Sequence, residues 1–202
     1  MSDIREGVER YYSGKFAEYG ASARGVDWSS PESQELRFRQ LLRIAEGADS
    51  FSLVDYGCGY GALAEHLDRI GVDCRYTGYD LSLSMVEHAR ISNPVRTFTT
   101  RRDDLGSADF AVASGIFNVK QDIDSAEWRD YVVETLDDLA TLGMHGFAFN
   151  MLTSYSDADK MRRDLYYGDP CEFFDLCKRS YSRDVALLHD YGLYEFTILV
   201  RR

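Results

Sequence analysis

The chain has 202 residues, of which 34 are acidic and 23 basic, for a formal net charge of −11. Its 45% hydrophobic and 13% aromatic content excludes intrinsic disorder as the main state, and its length fits a single domain spanning residues 1–202. The nearest candidates for a basic stripe are Arg101-Arg102, Arg162-Arg163 and Arg201-Arg202, which are no more than pairs. Nucleic-acid affinity rests on cations that neutralise phosphates, so nucleic acids and anionic membranes are poor partners for this chain.

The first sixteen residues, MSDIREGVERYYSGKF, contain no apolar signal core, and no run of about 18 apolar residues follows. Cys58, Cys74, Cys171 and Cys177 form no CxxC pair and lack zinc-ligand spacing, so no metal site is expected. The expectation is a cytoplasmic protein with reduced thiols and no membrane segment.

In chain order, Met1 to about Trp28 reads as a helical lead-in followed by the glycine-bearing loop YGASARGVDW. A helix then starts at Ser29 or Ser30 as N-cap, with Pro31 in its first turn and Glu32 at capping-box spacing from Ser29. Leu36, Phe38, Leu41, Leu42 and Ala45 are its expected apolar side, and Gly47 its end. Residues 1–48 thus form an N-terminal helical cap. Strands are expected at 51–56, 74–80, 95–100, 108–115 and 145–152, with helices at 61–70, 82–91 and 125–142 between them. Such alternation predicts βαβ units, hence an α/β protein with a mostly parallel sheet. The stretch 154–182 is too long for a plain crossover and is expected to be a substrate-side insertion. The end reads as a β-hairpin: DVALLHD (184–190), a turn at Tyr191-Gly192, then LYEFTILVRR (193–202).

The most informative segment is Val54-Asp55-Tyr56-Gly57-Cys58-Gly59-Tyr60-Gly61, which closes one predicted strand and opens a predicted helix. Its glycines let the backbone turn sharply and approach a ligand that a Cβ would push away. A dinucleotide fingerprint would place its third glycine at 62; here 62 is Ala, and the third glycine comes one residue early. Twenty-three residues after Gly57 stands Asp80, at the end of the second strand. A carboxylate there can accept hydrogen bonds from ribose hydroxyls. The structural alternative is a solvated strand-end acid.

With these residues in view, the chain resembles the class I S-adenosylmethionine (SAM)-dependent methyltransferases. The resemblance is carried by VDYGCGYG, YTGYDLS, ADFAVASGIFN, GFAFNML and the terminal LLHDYGLYEFTILV, and covers about Phe51 to Arg202. It implies a three-layer α/β/α Rossmann-like fold with a seven-stranded sheet, mostly parallel, and one antiparallel C-terminal strand. It further implies that Gly57, Cys58 and Gly59 pass under the methionine part of SAM, while Asp80 holds the ribose and Leu81 lies against the adenine. Asp55 would orient the loop or reach the amino group through water. Asp104 and Leu105 are the candidates for the adenine edge. Ala113 and Ser114 would offer backbone carbonyls to the amino group, with Gly115 allowing close approach.

Other candidates carry two readings each. Arg24 is a partner for the SAM carboxylate or a surface arginine. Asn118 is an acceptor-binding residue or a turn cap, and His189 a general base or a hairpin histidine bonded to backbone. Trp28 and the pair Tyr11-Tyr12 form a lid or pack as core; Tyr155, Tyr166 and Tyr167 line an acceptor pocket or pack a helix. The function implied is transfer of a methyl group from SAM to a small-molecule acceptor, leaving S-adenosylhomocysteine (SAH). The rivals are an NAD(P)-dependent oxidoreductase and a non-catalytic SAM-binding module.

Overall fold

Residues alternate between the two faces along each central strand, and in this chain both faces are apolar. That pattern buries a sheet on both sides and calls for helices above and below it. In the computed structural model, which describes residues 2–28 and 30–202, this is the arrangement found. The elements are α1 (Ser2–Tyr19), α2 (Pro31–Leu42), β1 (Ser50–Tyr56), α3 (Ala62–Ile70), β2 (Asp73–Tyr79), α4 (Leu83–Ser92) and β3 (Thr97–Thr99). They continue with β4 (Ala108–Ala113), α5 (Ser125–Leu142), β5 (Gly143–Leu152), α6 (Pro170–Ser180), β6 (Asp184–Leu188) and β7 (Glu195–Arg201). The seven strands lie in the order β3-β2-β1-β4-β5-β7-β6, parallel except for β7, which runs antiparallel to both neighbours.

One face of the sheet (Val54, Tyr56, Phe147, Phe149, Ile198) packs under α5 and α6 through Trp128, Leu136 and Phe173. The other (Leu53, Tyr76, Val112, Leu199) packs under α2, α3 and α4 through Phe38, Leu41, Leu67 and Val86. No helix among the described residues is long and apolar enough to cross a membrane.

The strand order decides where a ligand can sit. The chain leaves β1 toward β2 on one side, while β4 lies on the other, so the sheet's order reverses between β1 and β4. Crevices open at the carboxyl ends of strands beside such a reversal. In register, Asp55 faces Gly78 of β2 and Val112 of β4, and Tyr56 faces Tyr79. The loops after β1, β2 and β4 therefore emerge together.

The structure decides one open boundary of the sequence reading and alters others: α2 ends at Leu42, before the expected Gly47, and β4 at Ala113. Ser30 is the N-cap of α2, its hydroxyl accepting from the Ser33 amide at 3.2 Å; the alternative cap at Ser29, with its box to Glu32, lies outside the described residues. The stretch 154–182 is two things. Its second half is α6, an ordinary crossover helix that buries Phe173 and Cys177 in the core, and only the irregular segment before Pro170 lies on the strand-end side. The terminal hairpin is not closed by a tight turn at Tyr191-Gly192. Six residues separate β6 from β7, and within them the Tyr191 hydroxyl meets the Thr197 hydroxyl at 3.0 Å.

Candidate active site

The loop after β1 is held from beneath. The amides of Gly57 and Cys58 both donate to the Tyr79 carbonyl, at 2.7 and 2.9 Å, and the Gly61 amide donates to the Cys58 carbonyl. The Gly59 amide donates to Asp80 Oδ2 at 2.8 Å, and the Ser82 amide donates to Asp80 Oδ1 at 2.9 Å. Asp80 thus ties the loops after β1 and β2 into one shelf. The early third glycine has a plain local role: Gly61 is the N-cap of α3. At Gly57, with φ +83°, a side chain would be both strained and crowded, since a Cβ there would stand 2.2 Å from Ile116 Cγ2. The amides of residues 57, 58, 59 and 61 are thus all used within the shelf itself.

Asp55 lies beneath this shelf, 2% exposed, and accepts the Tyr76 hydroxyl at 2.6 Å through Oδ2; its Oδ1 has no partner in the protein. Burial pushes its carboxyl up to about 7, with the Asp80 charge adding and the Tyr76 hydrogen bond opposing. A raised carboxyl stabilises the fold below the unfolded pKa, and that contribution is lost as pH rises through the folded one. The Asp55→Asn protein is therefore expected to match the wild type near pH 4 and to gain on it steadily to about pH 7. The gain should reach a few kcal/mol, read by urea unfolding across that range. A pH-independent difference would show that Asp55 is charged throughout.

On the opposite side, β4 ends at Ala113, and Ser114 and Gly115 continue the wall. The Gly115 amide donates to the buried Asn150 Oδ1 at 2.7 Å, fixing this turn to β5. Gly115 has φ +72°, and a Cβ on it would meet the Trp28 ring at 2.0 Å. Ser114 Oγ is buried without a partner in the protein.

These walls enclose a cavity of about 900 Å³, open mouth included. Its floor is residues 55–60 with Asp80 and Leu81, its far wall Ser114 to Ile116, and its roof α1 through Arg5, Glu9 and Tyr12. Trp28 closes one end. The ionisable lining is three carboxyl groups, Glu9, Asp80 and the partly protonated Asp55, against one cation, Arg5. Such a lining suits a cationic ligand and opposes a diphosphate. A second cavity, lined by Asn118, Leu152, Arg162 and Leu165 among others, shares Tyr12, Val26, Trp28 and Gly115 with the first. The two spaces meet at that common wall.

The fold brings Asp55, Gly57, Cys58, Gly59, Asp80, Leu81 and Ser114 to one cavity. It does not bring five other candidates there. Arg24 is exposed and stacks on the Tyr19 ring at 4.4 Å, leaving the α1 side of the loop. Asp104 accepts the Thr99 hydroxyl at 2.7 Å beside β3, and Leu105 turns into the core. His189 lies exposed beyond β6, beside the Tyr155 and Phe196 rings. Asn118 lines the second cavity, where its Oδ1 accepts the Leu152 amide at 3.1 Å.

Sequence reasoning missed the roof residues Arg5 and Glu9, and also Arg37. Gln34, Arg37, Phe38 and Leu41 are all buried on one face of α2. Their i, i+3, i+4, i+7 spacing was the available signal, obscured because two of the four are polar.

A reversing α/β sheet, a glycine shelf tied to a strand-end acid and an acidic crevice define the class I SAM-dependent methyltransferase architecture. Residues 29–194 match the family model described as a methyltransferase domain. The chain is 54% identical over 165 residues to a Mycobacterium tuberculosis protein provisionally named a methyltransferase, covering 80% of this chain and 99% of that one. Among solved structures, it resembles a magnesium protoporphyrin IX methyltransferase from Synechocystis PCC 6803 with bound SAM. The TM-score is 0.67 at 16% identity, covering 98% of this chain and 97% of the other. It also resembles a plantazolicin methyltransferase in complex with a pentazolic desmethylPZN analog and SAH, with a TM-score of 0.59 at 13% identity and full coverage of both chains. This chain belongs to the methyltransferase-domain family and is a methyltransferase.

Proposed function

We propose that this enzyme transfers the methyl group of SAM to a small-molecule acceptor, with SAM in the first cavity and the acceptor entering through the second. The observation that carries the reading is the acidic cavity at the β1/β4 reversal, which meets a second cavity across a shared wall. The residues present fit SAM. Its net positive charge suits the carboxylate-rich lining, and the unpartnered Ser114 Oγ and Asp55 Oδ1 offer hydrogen-bonding atoms beside the shelf. When bound, SAM supplies an electrophilic methyl group on a sulfonium.

The protein's part is positioning and exclusion of water. Asp80, already oriented by the Gly59 and Ser82 amides, would hold the ribose, and Leu81 would cover the adenine. Gly57, Cys58 and Gly59 would support the methionine part, with Asp55 bracing the loop from below through Tyr76. Tyr12 and Trp28 stand at the junction of the two cavities, where they would shield the transferred group. Burial pushes the Tyr12 phenol far up, so it serves there as a neutral hydroxyl rather than a base. A SAM-binding module without activity would have no use for the second cavity, and the acidic lining opposes the pyrophosphate of a dinucleotide.

A melting series tests this, because a ligand that binds only the native state raises its stability. SAM and SAH are expected to raise the melting temperature, NAD and NADP to leave it unchanged. A rise with the nicotinamides alone would sink the reading. Mass-spectrometric detection of label from SAM in the small-metabolite fraction of a cell extract, and none in its protein and nucleic-acid fractions, separates small acceptors from macromolecular ones.

A further inference from the structure

Arg37 is 6% exposed, near the middle of α2, and its Nε and Nη2 donate to Glu195 Oε2 and Oε1 at 2.7 and 2.5 Å. That fork uses one edge of the guanidinium. Nη1, at the other edge, is buried and has no partner in the protein. Trp28 covers the guanidinium face at 3.9 Å, which leaves only in-plane directions for further hydrogen bonds. A buried charged donor without a protein partner is costly, so Nη1 is placed to donate to an acceptor atom from outside the chain.

Arg37 lines the second cavity, and so does a second arginine. Arg162 is bound to Asp164 in an exposed pair, with side chains 54% and 42% accessible. Exposed pairs of this kind contribute little, so Arg162 is free to exchange its partner. The carboxylates on the same lining are spoken for. Glu195 holds Arg37, and Asp27 holds Lys15 at 3.2 Å and accepts the Tyr11 hydroxyl at 2.9 Å. Around these charges the wall is apolar, formed by Val26, Val119, Leu152 and Leu165 with the Tyr12 and Trp28 rings. The space is about 540 Å³, mouth included, within the range of small-molecule sites.

We propose that the second cavity is a subsite for a small acceptor with an apolar body and a carboxylate, and that Arg37 Nη1 anchors the carboxylate. This rests on the reading of the first cavity as the SAM site. Arg37 is then a specificity-determining residue, neutralised by Glu195 on its inner edge and recognising the acceptor with its outer one. Planar, fixed donors suit a carboxylate oxygen, and a charge-assisted bond exceeds a neutral one by an amount readable as affinity.

Benzoate and benzamide are matched probes, used on the full chain saturated with SAH. Benzoate is expected to bind about tenfold more tightly than benzamide and to shift the Trp28 indole N–H resonance, assigned with Trp28→Phe. In the Arg37→Gln/Glu195→Gln protein, which leaves no buried charge behind, the preference should fall to about onefold while SAH affinity holds. Equal wild-type affinities, or benzoate binding that leaves Trp28 unshifted, would overturn the proposal without needing the variant. So would a preference that survives in the double variant. Failure of these tests with SAH bound overturns the carboxylate subsite alone; absence of SAH binding overturns the donor-site reading along with it.

Discussion

Arg37→Met is expected to destabilise the protein by about 3–5 kcal/mol, the cost of stranding one partner of a buried ion pair. The partner stranded is Glu195, 1% exposed at the start of β7. For a chain of this length the melting temperature should fall by about 6–20 °C. The same reasoning makes Arg37→Met/Glu195→Leu close to wild type or above it, since a buried pair replaced by apolar residues of similar volume is often neutral or stabilising. Chemical denaturation of the single and double variants measures the coupling directly. A single variant within about 1 kcal/mol of wild type would mean that Glu195 finds water or protonates at little cost. Retention of a pair that an apolar core could replace fits the part given to Arg37 in the second cavity.

The largest effect on ligand affinity is expected at Asp80. Asp80→Ala removes the acceptor for two backbone amides, Gly59 and Ser82, and so loosens the shelf as well as deleting the proposed ribose ligand. Hydrogen bonds to a charged group contribute roughly 1.5–3 kcal/mol each. Loss of one such bond to ligand plus some loop order predicts a fall in SAH affinity of at least about 100-fold by calorimetry. Asp104→Ala is the matched control. Its carboxylate serves Thr99 and Arg101 beside β3, away from the cavity, so SAH affinity should stay within about twofold. An Asp104 variant as damaging as the Asp80 variant would return Asp104 to the adenine edge and require that loop to move.

Much of this site was legible because its positions are fixed by local chemistry. The segment from Asp55 to Gly61 must turn between a strand and a helix, and glycine is the residue that tolerates φ +83° at position 57. Asp80 closes the next strand of the same parallel pair, so topology alone carries it to the same edge. Asp104 and Leu105 were placed by resemblance, Arg24 by its glycine-bearing loop and His189 by its strand end, all in segments whose course depends on long-range packing. Arg24 found the Tyr19 ring, Asp104 found Thr99, Leu105 joined the core and His189 found Tyr155. None of these partners is predictable from spacing.

Length, charge and the alternation of strands and helices were properties of the sequence by itself. With the glycine shelf and its acid, they determined the α/β class and pointed to the strand-end edge where the glycine loop and Asp80 meet. Periodicity and turn chemistry act over a few residues and survive without knowledge of the rest of the chain. The meeting of the two cavities was decided only in three dimensions. Trp28 and Val26 come from the lead-in, Arg37 from α2, Arg162 and Leu165 from the segment before α6, and Glu195 from β7. Their proximity follows from burial of α2 against the sheet and from the antiparallel return of β7, which places Glu195 opposite Leu152 at the strand-end edge. A buried arginine with a free edge is a tertiary property, because its significance lies in the partner it has and the partner it lacks.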